Sequence, residues 1–226
     1  MQSSDLTKHE HRWFLWVTLA TLAAFTAVAT DLYLPAFTQV AGDFGVTTQE
    51  VQFTLTAFFV GMAAGQLVWG PYSDRQGRKP AVLLGISIFI VASLACVFAP
   101  NIWFLVIARF AQAFGGSVTM LSSRAIVRDL FTGNDMARTM SAVMSIFMAA
   151  PILAPSVGAL ILNFGSWHWV FAALAIFGVL AGLNFVRMPE TLARENRVNH
   201  SLREVLQNYG EISKNREFRF AIMQVA

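Results

Sequence analysis

Two ionisable side chains lie inside long, otherwise uncharged apolar stretches: Asp31 within residues 13–40 and Arg109 within residues 102–123. A charge at membrane depth costs about 2.5 to 3.5 kcal/mol on insertion scales, so such residues face a cavity or a partner and mark a pathway. The chemistry they offer is proton exchange. A carboxylate in apolar surroundings holds a proton more readily, and a neighbouring guanidinium opposes this. Competition between a proton, Arg109 and a substrate for Asp31 would couple transport to a proton gradient. The alternative is a static Asp31–Arg109 pair that only fastens two helices together. A second cluster is Gly70-Pro71-Tyr72-Ser73-Asp74-Arg75-Gln76-Gly77-Arg78-Lys79-Pro80, which places Asp74, Arg75, Arg78 and Lys79 between two apolar runs. Its glycines permit positive φ and close approach, and Pro80 suits the first turn of a following helix. It reads as a tight hairpin joining two membrane helices.

The elements that must position these groups are read from hydropathy. Charged residues are 13% of the chain and hydrophobic ones 56%, whereas a soluble domain carries about 25% charged residues. Uncharged stretches at 13–40, 51–69, 81–99, 102–123, 139–163 and 167–188 each approach or exceed the ~20 residues that cross a bilayer as a helix. The expected fold is therefore an all-α membrane protein of six transmembrane helices, arranged as two inverted three-helix repeats with a site at their interface. In each triplet the first helix carries the lone charge. At 1.5 Å per residue, Asp31 and Arg109 lie about 12 to 14 Å below the outer helix ends, at one level. Asp31 shares a helix face with the small residues Ala20, Ala24 and Ala27 and with Pro35 and Thr38, and Arg109 with Leu105, Gln112, Ala113, Gly116 and Met120. In the fifth span Pro151 and Pro155 each remove a helix hydrogen bond and are expected to bend the chain. Ala149, Ala150, Ala154, Gly158 and Ala159 make the same span thin. Gly61 with Gly65, and Gly178 with Gly182, read as close-packing pairs.

Basic residues set the expected orientation. Apart from Arg109, every Lys and Arg lies before the first span, between spans two and three, around the connection from four to five, or at and beyond the end of six; the other three connections hold none. By the positive-inside rule both chain ends are cytoplasmic. The net charge of +3 thus reflects topology and not nucleic-acid binding. A basic start followed by Ala27-Val28-Ala29 resembles a cleavable signal peptide, but apolarity continues through Leu32, Leu34 and Phe37, and cleavage would leave an odd number of spans. The lone Cys96 excludes an internal disulfide or a cysteine metal cluster and reads as a packing residue. No nucleophile, histidine and acid cluster suggests an enzyme, and His168 between Trp167 and Trp169 reads as part of an interfacial aromatic belt. The domain reading is a cytoplasmic tail at 1–12, a six-helix domain at 13–188, a cytoplasmic linker at 189–217 and the start of a seventh span at 218–226. Within the linker, Ser201 and Glu204 form a capping-box pattern ahead of an amphipathic face. The sequon at Asn199 lies on the expected cytoplasmic side and reads as chance.

These residues carry a resemblance. The chain resembles the N-terminal half of a major facilitator superfamily transporter, specifically the drug:proton antiporters with twelve helices. Gly70 to Pro80 fits the loop signature G-x-x-x-D-R-x-G-R-K-P, and Leu105, Arg109, Gln112 and Gly115 fit the helix-4 motif, with Ala113 where glycine is usual. Asp31 and Pro35 fit the helix-1 motif, and Ala150, Pro151, Ala154, Pro155 and Gly158 the helix-5 antiporter motif, with alanine at two glycine positions. The string Asp31-Leu32-Tyr33-Leu34-Pro35-Ala36 and the segment Pro189-Glu190-Thr191-Leu192 are similar to the bicyclomycin and chloramphenicol resistance branch. The resemblance implies proton-coupled efflux of amphipathic antibiotics across a bacterial inner membrane. It implies no cofactor beyond the proton gradient, and as partners the lipid bilayer, the drug and a C-terminal six-helix half. Asp31, Tyr33, Arg109 and Gln112 would serve proton coupling and substrate. Gly70, Asp74, Arg75, Gly77 and Arg78 would form the gate, with Asp74 closing against the C-terminal half and Arg78 bonding Asp129. The other readings are an importer of a small metabolite on the same fold, and a six-helix membrane binding or scaffold protein that transports nothing.

Overall fold

Hydropathy marks where lipid ends, and helices do not have to stop there. In the computed structural model, which describes residues 12–197, the helices are α1 (Arg12–Asp31), α2 (Phe37–Phe44), α3 (Thr48–Gln76), α4 (Arg78–Val97), α5 (Ile102–Leu130), α6 (Gly133–Phe164) and α7 (His168–Val186), with short 3-10 turns at Leu34–Ala36 and Arg194–Asn196. Among the described residues there is no strand, and six helical segments are long and apolar enough to cross a membrane, α1 and α2 together forming the first. Most of the tail before α1, the capping-box helix at 201–209, Asn199 and the apolar run at 218–226 lie outside the described residues.

Three boundaries differ from the hydropathic reading. The first span is not one helix over 13–40, because Pro35 has no N–H to offer the Asp31 carbonyl four residues back. The α-helix stops at Asp31, and a 3-10 turn carrying Pro35 leads into α2. The expected eleven-residue hairpin at 70–80 shrinks to a single residue. α3 runs 29 residues to Gln76, about 44 Å at 1.5 Å per residue, well past a hydrocarbon core of ~30 Å. Gly70 and Pro71 are thus helical, and Gly77 alone makes the turn, at φ 110°, a conformation open only to glycine. The fifth span is continuous for 32 residues from Gly133 through both prolines.

Small residues let the helices close on one another. α5 packs against α3, α4, α1 and α6. A Cβ on Gly61 would strike the Phe110 carbonyl, and one on Gly115 would meet the Gly85 carbonyl oxygen at 2.6 Å. Ser117, Thr119 and Ser123 are buried in α5 and donate to the carbonyls of Phe114, Gly116 and Met120, so their hydroxyls are satisfied without an interhelical partner. Trp69 Nε1 donates across the α3–α5 contact to Phe114 O at 2.7 Å. Caps secure two of the opposite-end helix starts. Thr47 and Glu50 form a reciprocal capping box on α3, and Asn101 Oδ1 accepts from Phe104 N at 2.9 Å on α5, satisfying amides that have no partner in the first turn. Cys96 is fully buried in the core. His168 stacks on the buried Trp167 with centroids 3.8 Å apart.

Candidate functional site

Arg109 lies on the central helix α5 and has no exposed surface. Its Nη1 donates to Ala29 O of α1 at 3.1 Å and to Gln112 Oε1 at 2.6 Å. Gln112 Nε2 in turn donates to Ser93 Oγ on α4 at 2.7 Å, and Ser93 donates to Phe89 O. Aromatic rings from three elements close over the guanidinium: Phe58 of α3 at 4.2 Å from its centroid, Tyr33 after α1 at 4.8 Å and Phe171 of α7 at 5.6 Å. Such contacts attract a cation through the ring quadrupole, by about 0.5 to 2 kcal/mol each. The Tyr33 and Thr54 hydroxyls lie 3.2 Å apart. Since Thr54 donates its own proton to Val51 O, the Tyr33 O–H donates to Thr54. Among the described residues Arg109 Nε and Nη2 nevertheless have no hydrogen-bond partner. The result is a buried cation held by a carbonyl, an amide and three rings, with donors to spare.

Asp31 does not complete this set. The two charges form no ion pair, and among the described residues the Asp31 carboxylate makes no hydrogen bond. Arg109 reaches α1 at Ala29, and two residues along a helix is about 200° around its axis. Ala29 and Tyr33 face α5 and are fully buried, whereas Asp31 falls on the half-covered stripe of Ala20, Ala24, Ala27 and Pro35. That stripe borders an apolar groove of about 470 Å³ between α1, α6 and α7, lined by Ala24, Val28, Leu32, Ala150, Leu153 and Ala154 among others. Ala154 and Gly158 are, with Thr139 and Val143 nearer its start, the buried residues of the otherwise open α6. A side chain at Gly158 would strike the Leu32 carbonyl, so the small-residue motif sets how closely α6 approaches α1. Pro151 is exposed and Pro155 half-buried beside them.

The charged turn forms a second site at one end of the bundle. Arg78 Nε donates to Asp129 Oδ2 on α5 at 3.1 Å, and its Nη1 to Ser73 Oγ at 3.0 Å and to Asp74. The Arg78 and Asp129 side chains are 12% and 15% exposed, so each would leave the other poorly solvated. Arg75 is exposed, and Gly70 has open space above it; neither takes part in this cluster. We expect Arg78→Ala and Asp129→Ala each to lower stability by about 1 to 3 kcal/mol. A double-mutant cycle read by thermal unfolding should show coupling of about 0.5 to 3 kcal/mol, and additive losses would rule the pair out as an energetic contact. Sequence reading did not single out Phe171, Ser93 or Thr54. Aromatic and small hydroxyl residues are too frequent here for spacing to mark them. Nor did it give Glu190 a role beyond resemblance, although the cluster closes around it.

A family model described as Major Facilitator Superfamily matches residues 19–226. The chain belongs to that superfamily. It is 41% identical over 203 residues to an uncharacterized MFS-type transporter of Bacillus subtilis, YdgK, covering 88% of this chain and 50% of that protein. It is 37% identical over 202 residues to a bicyclomycin resistance protein homolog of Haemophilus influenzae, covering 89% and 51%. With multidrug resistance protein D of Escherichia coli it shares 32% over 187 residues, covering 81% and 47%. The chain spans about half the length of the curated relatives it matches. Among solved structures, a peptide transporter POT and a D-xylose-proton symporter each superpose with a TM-score of 0.66, at 14% and 16% identity, covering 94% and 95% of this chain and 45% and 55% of theirs. At those identities the likeness is one of fold. The chain is thus a multi-pass membrane protein of a superfamily of transporters and not an enzyme.

Proposed function

We propose that this chain is the N-terminal six-helix half of a proton-coupled exporter of uncharged or weakly polar antibiotics, working in a bacterial inner membrane with both of its ends on the cytoplasmic side. The observation that carries the reading is the state of the two intramembrane charges. Among the described residues Asp31 has no hydrogen-bond or ion-pair partner, and it adjoins in sequence Leu32, which lines the apolar groove; Arg109 is a buried guanidinium one helix face away with two nitrogens that have no partner among those residues. An intramembrane ionisable residue without a fixed partner is the kind that exchanges protons or ligands along a pathway. The relatives named for bicyclomycin, chloramphenicol and multidrug resistance support the substrate class. The basic residues of the α3–α4 turn, the end of α5 and the segment after α7 support the orientation.

Proteoliposomes with an imposed pH gradient and labelled chloramphenicol test this reading. A chain extended to the length of its relatives should accumulate the drug only under the gradient, and the 226-residue chain alone should not. Transport by the short chain would mean that copies self-assemble into the missing half. Absence of gradient-driven movement in the extended chain, across chloramphenicol and bicyclomycin, would reject the exporter reading.

A further inference from the structure

Backbone amides at the start of α4 have no cap from their own sequence. Gly77 precedes the helix and offers no side chain, Pro80 has no N–H, and the Gly77 N–H is already given to Ser73 O. That leaves the amides of Arg78 and Lys79 as the unpaired donors of the first turn. Both are taken by one carboxylate from 112 and 111 residues further along the chain. Glu190 Oε1 accepts from Arg78 N at 2.8 Å and Oε2 from Lys79 N at 3.1 Å. Oε1 also accepts from Thr191 N and Leu192 N, each at 3.1 Å, which fixes the carboxylate on its own segment. Met188 and Leu192 are buried on either side of it, and Thr191 Oγ1 lies 3.3 Å from the same Asp129 oxygen that Arg78 holds. The turn is shaped to this group, because a Cβ on Gly77 would run into Glu190 and into Arg197 Nη2.

We propose that Glu190 is a positioning residue for the gating turn, a cap supplied to α4 from beyond α7 that fixes the main chain of Arg78 and so aims its guanidinium at Asp74 and Asp129. This rests on the gating reading of the Arg78 cluster. Glu190 does not compete for the guanidinium. It holds the backbone on which the guanidinium swings, and it links the strap after α7 to the turn: displacing the strap uncovers two amides and frees Arg78 to re-aim.

Two measurements separate the cap from the gate. By hydrogen exchange on the full 226-residue chain in lipid nanodiscs, the peptide over residues 77–82 should exchange about tenfold faster in Glu190→Ala. Glu190→Gln, which keeps one acceptor oxygen, should show a smaller rise. In a chain extended to the length of its relatives, spin labels across the gate report open and closed populations. Glu190→Ala should shift their ratio about fivefold or more, in the direction that Arg78→Ala shifts it. Asp43→Asn, which loosens the Trp167 Nε1 to Asp43 contact at the other end of α7, should move neither readout. Unchanged exchange in both Glu190 variants overturns the cap. Faster exchange with an unmoved ratio, while Arg78→Ala moves it, overturns the positioning role. A ratio unmoved by Arg78→Ala as well overturns the gating reading beneath it.

Discussion

Arg109→Met is expected to abolish gradient-driven transport by the extended protein while leaving its thermal stability equal or higher. The two halves of that expectation come from the same geometry. Removing one member of a buried ion pair is strongly destabilising because the other charge is stranded, but replacing buried charge by an apolar side chain of similar volume is often neutral or stabilising by about 1 to 4 kcal/mol. Among the described residues Arg109 has no carboxylate partner to strand. Its loss takes the side-chain donor from Ala29 O and leaves Gln112 bonded to Ser93, and the thioether packs well against the rings of Phe58, Tyr33 and Phe171. The terms lost are the cation–π contacts and the two charge-assisted hydrogen bonds to Ala29 O and Gln112; the term recovered is the cost of a desolvated cation with two nitrogens that have no partner among the described residues. Thermal unfolding in detergent, beside transport in proteoliposomes, checks both. A fall in stability of several kcal/mol would show the guanidinium to be a structural keystone, and retained gradient-driven transport would remove it from the coupling pathway.

Asp31→Asn should have the opposite profile of risk: no structural contact is at stake, and the whole of the coupling is. The side chain makes no hydrogen bond or ion pair among the described residues, so stability should change by about 0.5 kcal/mol or less. Asparagine matches the shape of aspartate but cannot take up and release a proton in the working pH range. The extended protein should therefore still exchange drug for drug across the membrane, which needs only alternating access, while losing all accumulation driven by a pH gradient. Counterflow and gradient-driven uptake on the same vesicles separate the two. Coupled export that persists in Asp31→Asn would sink the carrier role and leave the carboxylate as a bystander of the groove.

Much of this was legible in the chain itself. Six apolar stretches establish six spans because the cost of exposing backbone and charge to hydrocarbon leaves helices as the only solution. The signature from Gly70 to Pro80, with the residues around Asp31, Arg109 and Pro155, pointed to the superfamily to which the chain belongs. Helix ends were misplaced where the helix outruns the bilayer, as at Gln76, because hydropathy reports the water boundary and not the last hydrogen bond.

Rotation and long-range closure belong to the tertiary structure. Whether Asp31 or Ala29 meets Arg109 depends on the angle at which α1 packs on α5, which the summed contacts of all the helices set and no local pattern encodes. The cage over Arg109 draws one ring each from α3, the turn after α1 and α7; the resemblance marked Tyr33, but nothing local sets Phe171 apart among twenty phenylalanines. The cap on α4 comes from Glu190, 112 residues from the amide it satisfies. Local sequence specifies that those amides lack a partner; only the folded bundle, by bringing the end of α7 beside the start of α4, decides which residue supplies it.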